Sequence, residues 1–424
     1  MNNFGLTVLQ QFTRRYPALS NRNFLIFWIG QFVSLIGTWM QSTTQPYLAY
    51  RLSGKPFDLG LIGFMGALPT LILALPGGVL VERLDKRKVV IVMQFVMMLQ
   101  AFFLAFLALT GLIQIWHIAA LAFILGTANA IEITARQAML IELVGKESLP
   151  NAIALQSTIF NAARVIGPSL VAPFLILIQE SGEGWAFLVN GISYLVIIIS
   201  LFFISTPFKT ELAEKTRNWI SEFMEGQAYI RQTRLVAMLI LMASVMGFLG
   251  FPLMQQIPVI ARDVLAQPAD TEASSAARNS AIFTAQGIGA LIAALSLASF
   301  NPPHKGRLLA TGQGLFIIGL FAIALTRSVP IVLLLFIVIG WGSITALANM
   351  NTMIQLEVPD KLRGRVFSTY LWGLQGIAPF GSLLVGWMAQ TWGVPKTALA
   401  CGVICMVVIS SIHIANPEIR DKVF

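Results

Sequence analysis

Charge is scarce in this chain. Only 11% of its 424 residues are Asp, Glu, Lys or Arg, against about 25% in ordinary soluble proteins. With 56% hydrophobic residues and a mean hydropathy of +0.77, a soluble fold could not hide the apolar surface, and a chain crossing a bilayer many times is expected. Cysteine is scarcer still. Cys401 and Cys405 stand four apart inside a late apolar run, with neither a second pair to complete a zinc site nor an aqueous loop to favour a disulfide. They read as small buried side chains. There is no G-x-x-x-x-G-K-[ST] loop, which argues against ATP as the direct energy source. No catalytic triad or metal-ligand cluster stands out, so neither an enzyme nor a cofactor is expected.

The charge that is present leans positive, with 28 Lys and Arg against 19 Asp and Glu. It falls in short clusters between apolar runs rather than on one basic face, so it reads as a topology signal and not as a nucleic-acid surface. Residues 1–23 hold Arg14, Arg15 and Arg22 ahead of the first long apolar run. They lack the apolar core and small-residue cleavage site of a secretory signal, so that first run is expected to be retained as a helix.

A bilayer core about 30 Å thick needs about 20 apolar residues. Twelve segments meet that length: 24–50, 57–81, 89–111, 115–141, 150–179, 184–206, 235–261, 278–299, 307–326, 330–356, 363–391 and 395–416. Of the 28 Lys and Arg, 20 then fall on the side shared with the N-terminus and 6 on the other, with Arg136 and Arg164 inside spans. The positive-inside rule places both termini in the cytoplasm, and hence a multi-pass protein in the inner membrane of the cell. The stretch 207–234 mixes charges with Trp219, Ile220, Phe223 and Met224, as an amphipathic helix on the membrane surface would. It divides a bundle at 24–206 from a bundle at 235–416, leaving 417–424 as a cytoplasmic tail. The halves resemble each other: "MLIELVGKESLPNA" (139–152) answers "MIQLEVPDKLRGRV" (353–366), and Pro168 answers Pro379 at an offset of 211 residues, close to half the chain. The fold expected is all-α, twelve transmembrane helices in two pseudo-symmetric six-helix bundles, the layout of secondary transporters.

The charged run "ERLDKRK" (82–88) is the inner turn between the second and third spans. Its pattern of Gly78, Glu82, Arg83, Lys86 and Arg87 resembles the signature of the major facilitator superfamily, with Glu82 where Asp is usual and Asp85 where a second Gly is usual. "HKGR" (304–307) is a degenerate copy in the second half. "RVIGPSLVAP" (164–173) resembles the Gly-Pro motif of that superfamily's exporters through Gly167 and Pro168. With "NRNFLIFWIGQFVSLIGTWMQ", "ARQAMLIELV" and the stretch 362–393, the chain looks like the branch of transmembrane secretion effectors that includes the enterobactin exporter. The resemblance implies alternating access and a turn at 78–87 that latches the inner face of the two halves together.

Three charges lie deep in spans, where they are costly and usually functional: Glu132, Arg136 and Arg164. Glu132 and Arg136 are spaced i, i+4 for a local ion pair, and Arg164 on the antiparallel fifth span is at a height from which it could reach Glu132. Glu132 is the proton-coupling candidate; the alternative is a permanent network bracing the first half. Glu142 and Glu357 are expected to serve inner-face networks with Arg363 or Arg365. His117 and His413 are expected at the membrane interface. Cavity candidates, on the spans that line the cavity in the family, are Trp39, Gln41, Gln45, Tyr47, Asn129, Phe251, Gln255, Gln256, Trp341, Asn349 and Asn351, though each amide would serve equally as glue between helices. Such a lining suits a small amphipathic or hydrophobic molecule, siderophore-like or drug-like. The expectation is a monomeric exporter exchanging a small-molecule substrate for protons. An uncoupled facilitator or lipid-like flippase, and more distantly a sensor or scaffold without flux, stay open.

Overall fold

The computed structural model describes residues 17–82, 84–178, 181–204, 219–300 and 303–421, with side chains left aside at 74–80, 82 and 219–222. Expectations resting on Gly78, Glu82 and Arg83 therefore fall outside the described side chains. Among the described residues every element is a helix. The first is α1 (Arg22–Ser53), followed by α2 (Pro56–Glu82) and α3 (Lys86–Leu109). Next comes one 63-residue element, Ile115–Leu177, whose helical course is broken at Gly145 with φ 72° and ψ 169°. That conformation is open to glycine and strained for other residues, so the element divides into α4 (115–144) and α5 (146–177), carrying two crossings. After α6 (Gly182–Phe202) come a connecting helix α7 (Trp219–Gln232) and then α8 (Arg234–Val264), α9 (Glu272–Phe300), α10 (Lys305–Leu325) and α11 (Val329–Glu357). A broken helix α12 (360–392), α13 (Val394–Ala415) and a short α14 (Pro417–Asp421) complete the chain.

Among the described residues, ten helical elements are long and apolar enough to cross a membrane. One of them doubles back at Gly145 to make two crossings, and α12, interrupted by a π-turn at Trp372–Gly376, supplies a further long helix, so the layout is consistent with twelve crossings. Helix ends follow local chemistry. Asn21 caps α1 by accepting from the backbone of Asn23 and Phe24 at 2.9 and 3.2 Å, and Gly54 ends it in the left-handed conformation. Two further π-turns, Met246–Gly250 and Ile260–Val264, break α8 around Pro252 and Pro258, prolines that supply no amide to an α-ladder. One boundary differs from expectation: α9 begins at Glu272, not 278. The polar residues Ser275, Arg278, Asn279 and Ser280 are buried against neighbouring helices rather than left in a loop, so the helix starts a turn and a half earlier.

Residues such as Phe24, Phe27, Val90, Met139 and Leu201 pack the first six helices; Leu239, Met242, Phe316, Phe336 and Met353 pack the later ones. The outward faces carry Phe103, Phe106, Ile199 and Ile318, each about half exposed. In water such a surface would aggregate; in lipid it is the solvent-matched face. The end of the bundle bearing the α1–α2 connection is called here the first-loop end, and the end bearing α7 the linker end.

Candidate functional site

The helices before α7 and those after it meet along a seam. At the first-loop end Tyr47 donates to the backbone and carboxylate oxygens of Glu272 at 3.1 and 3.3 Å, and Tyr50 donates to Asp263. Asn279 donates to the Thr43 carbonyl, Gln256 to the Pro56 carbonyl, and the Phe57 amide to Gln390. All these groups lie within about 15 Å of the first-loop ends of their helices. Deeper in, the seam is apolar, with Phe64 edge-on to Phe380 at 5.8 Å. Gly60 and Gly386 let α2 and α12 touch: a β-carbon on Gly386 would sit 3.0 Å from the Gly60 α-carbon.

Two cavities open along the first six helices. One, of about 250 Å³, is lined by Gln41, Gln45, Asn129 and Gln255 together with Gly63, Gly66, Leu59 and Ile62. The other, of about 240 Å³, is lined by Gln31, Thr38, Trp39, Gln94, Phe160, Tyr194, Glu132 and Arg136. Ser42, Leu125 and Asn129 border both, so they form one tract.

Glu132 is fully buried at the edge of the second cavity. Arg136 pairs with it at 3.0 Å and Gln94 of α3 donates to it at 3.2 Å. The expected i, i+4 pair is therefore present. Arg164 does not join it. Its guanidinium lies over the ring of Trp39, 5.3 Å from the centroid, while Trp39 in turn meets Phe160 edge-on at 5.5 Å. Trp39 lines the second cavity that contains Glu132, but Arg164 does not border that cavity, and Arg164 stands six residues, about 9 Å, farther along its helix from Gly145 than Glu132 does.

The cavity candidates divide. Gln41, Gln45, Asn129 and Gln255 line the first cavity and Trp39 the second. Gln41 is also interhelical glue, donating to Gln45 and Gln100 and accepting from Asn190 at 2.7 Å. Tyr47 and Gln256 belong to the seam. Asn349 is turned onto its own helix, donating to the Thr345 carbonyl at 2.8 Å, and Asn351 accepts from Gln355. Phe251 stacks at a tilt on Phe316, and Trp341 packs where α11 meets Gly289; neither borders the two cavities. Sequence reading missed Gln94, Gln100, Asn190, Tyr194, Tyr50, Asp263 and Glu272. An amide or acid on an apolar span was the available signal for Gln94, Gln100 and Asn190; the others carry none before the helices are rotated into place.

At the linker end, Asp85 caps α3 by accepting from the Lys88 amide at 3.2 Å, Lys86 pairs with Glu142 at 2.9 Å, and Arg87 donates to the Phe202 carbonyl at 3.1 Å. Glu142 thus serves the turn of its own half. Arg363 pairs with Asp360 at 2.6 Å and Arg365 with Glu225 of α7. The Glu357 carbonyl accepts from Tyr229 at 3.2 Å and Gln227 donates to Thr369 at 2.7 Å, so α7 is docked on α12. His413, in the last turn of α13, meets the buried Gln313 at 2.8 Å.

The sequence matches the transmembrane secretion effector family over residues 13–422. The chain belongs to that family, within the major facilitator superfamily. The chain is 22% identical to the multidrug efflux pump Tap of Mycolicibacterium fortuitum over 89% of its own length and 91% of that protein's. It is 23% identical to the enterobactin exporter EntS of Shigella flexneri over 89% and 88%. Among solved structures, it shares its fold with a bacterial homologue of the human lysosomal transporter Spinster in an inward-facing, unoccupied conformation, with a TM-score of 0.70, 15% identity and coverage of 95% and 97%. The protein is accordingly a multi-pass membrane transporter, and its family handles small molecules. Within that frame Gly167 of the Gly-Pro motif is a packing contact: a β-carbon there would lie 2.5 Å from that of Trp39, so α5 lies against α1 beside the second cavity. Pro379 opens the second part of α12 just after its π-turn.

Proposed function

We propose that the protein is a secondary active exporter of a small amphipathic or hydrophobic molecule, working by alternating access in exchange for protons, with its linker end and both termini in the cytoplasm. The observation that carries this reading is the seam. Among the described residues, hydrogen bonds between the two sets of helices cluster at the first-loop end, which supports a state closed on that side, with the cavity tract loading from the linker end. The charge count of 20 against 6 supports assigning the linker end to the cytoplasm. Relatives named as a multidrug efflux pump and an enterobactin exporter support outward movement of drug-like or siderophore-like solutes.

Glu132 is the coupling group in this reading. Paired with Arg136 it is a buried but compensated carboxylate; drawing Arg136 away would leave a lone charge, costing several kcal/mol unless it binds a proton. In the opposite state the turn at 78–87 closes the linker end. Lys86 and Arg87, tied here to Glu142 and Phe202, hold that turn to its own half until then. The test is flux of a panel of drug-like dyes and siderophores in proteoliposomes, with and without an imposed pH gradient, for the wild type and Glu132→Gln. Gradient-driven flux that falls to passive exchange in Glu132→Gln is expected. Flux indifferent to the gradient in the wild type would identify a facilitator, and an absence of flux for every solute that binds would identify a sensor.

A further inference from the structure

Among the described residues, three charged side chains lie two turns or more from the ends of a spanning helix: Glu132, Arg136 and Arg164. The first two neutralise each other. Arg164 has no carboxylate partner among the described residues; its recorded side-chain contact is the face of Trp39. It sits about 20 Å from the first-loop end of α5 and about 28 Å from Gly145, so it cannot snorkel to either surface. Ring contact offsets only part of the cost of holding a lone guanidinium at such depth. Its position is built, not incidental. The α5 backbone at Arg164 rests on Gly287 of α9, where a β-carbon would come within 2.7 Å of the Arg164 carbonyl. Trp39, under the guanidinium, and Phe160, edge-on to Trp39, both line the second cavity. The arginine is half-buried and not sealed. A guanidinium stays charged through the physiological range and offers a planar fork of donors that fits a carboxylate, which makes it a fixed anion receptor rather than a proton carrier.

We propose that Arg164, backed by Trp39, receives a carboxylate on the transported molecule, so that the substrate class is an amphipathic anion whose apolar or aromatic body lies against Trp39 and Phe160. The proposal rests on the transport reading above and narrows it. Two fluorescent probes of equal shape separate the alternatives: dansyl-phenylalanine, which bears a carboxylate, and its carboxamide. Binding is measured by fluorescence on the purified full chain, and flux in proteoliposomes. The wild type is expected to bind the carboxylate at least tenfold more tightly than the carboxamide. Arg164→Gln should abolish that preference, weakening the carboxylate at least tenfold and the carboxamide less than twofold, while Arg164→Lys keeps part of it. Equal binding of the two probes by the wild type, binding of neither, or a preference that survives in folded Arg164→Gln overturns the proposal. Should Arg164→Gln fail to fold, Trp39→Leu takes its place, with a carboxylate preference reduced at least threefold expected and an unchanged preference overturning the proposal. Carboxylate-selective binding without flux would sink the transport reading and leave the anion site standing; flux of both probes without selectivity would do the reverse.

Discussion

A β-carbon at Gly60 provides a direct lever on which side of the protein is open. At this position it would overlap the Ser382 carbonyl oxygen and sit 3.1 Å from the Gly386 α-carbon, when carbon atoms need about 3.5–4.0 Å. The closed seam can take the extra carbon only if α2 and α12 part by about 0.5–1 Å, and overpacking of this size costs typically about 1–3 kcal/mol. The state in which the first-loop end is open separates these helices and escapes that cost. Replacing glycine in a helix also adds about 0.5–1 kcal/mol of propensity, but equally to both states, so it cancels in their ratio. Gly60→Ala and Gly60→Val should therefore shift the balance toward first-loop opening by about 5- to 150-fold, the larger side chain at the upper end. The reporter is a single cysteine at Asn129, which borders both cavities, labelled by an impermeant maleimide from either side. Cys401 and Cys405 are fully buried and should stay silent. Gly314→Ala, where a β-carbon meets nothing within 4 Å, is the control. A labelling ratio that moves less than twofold in a folded Gly60→Val protein refutes the argument that this contact holds the end shut.

The same reporter tests the tyrosine gate. Tyr50→Phe removes a hydrogen bond to the Asp263 carboxylate, worth about 1.5–3 kcal/mol to a charged partner, and should favour first-loop opening about tenfold or more. Asp263→Asn, which keeps an acceptor, should do much less, and equal effects would count against the bond. At the linker end, Asp85→Ala deletes the α3 cap and should lower stability by about 1 kcal/mol, whereas Asp85→Gly, the residue usual in the superfamily's signature, should cost only a few tenths; thermal unfolding of both variants decides. In the loop before α9, the hydrogen bond from Arg278 holds the Asp270 carboxyl down to about 2. A lowered value means its contribution is present above the ordinary carboxylate range near 3.9 and fades only as pH falls toward 2. The stability difference between wild type and Asp270→Asn should then be flat from pH 8 to about 5. It should shrink as pH falls from about 4 toward 2, and a difference that does not change through that lower window would show that Arg278 does not hold the carboxyl down.

Where helices run was legible because hydropathy and charge act locally: apolar runs of bilayer length make spans, Gly145 turns the chain between α4 and α5, and Asp85 caps α3 whatever surrounds it. The Glu132–Arg136 pair was legible for the same reason, since helical spacing alone puts both on one face. The fate of Arg164 was not. Its expected height put Glu132 within reach, but Trp39, 125 positions earlier, took the guanidinium, and no spacing rule reports the rotation of α1 against α5. Gln256 and Asn349 looked like Gln255 and Asn129 in sequence, yet one is spent on the Pro56 carbonyl and the other on its own helix.

The amino-acid sequence by itself determined the membrane crossings, the repeat of the two halves, the superfamily signature and the buried acid–base pair, because each depends on residues near one another in the chain. The tertiary structure decided which residues join the two sets of helices at the first-loop end. Tyr47 with Glu272 and Tyr50 with Asp263 meet across 225 and 213 residues, and such contacts exist only once whole helices have been placed and rotated against each other.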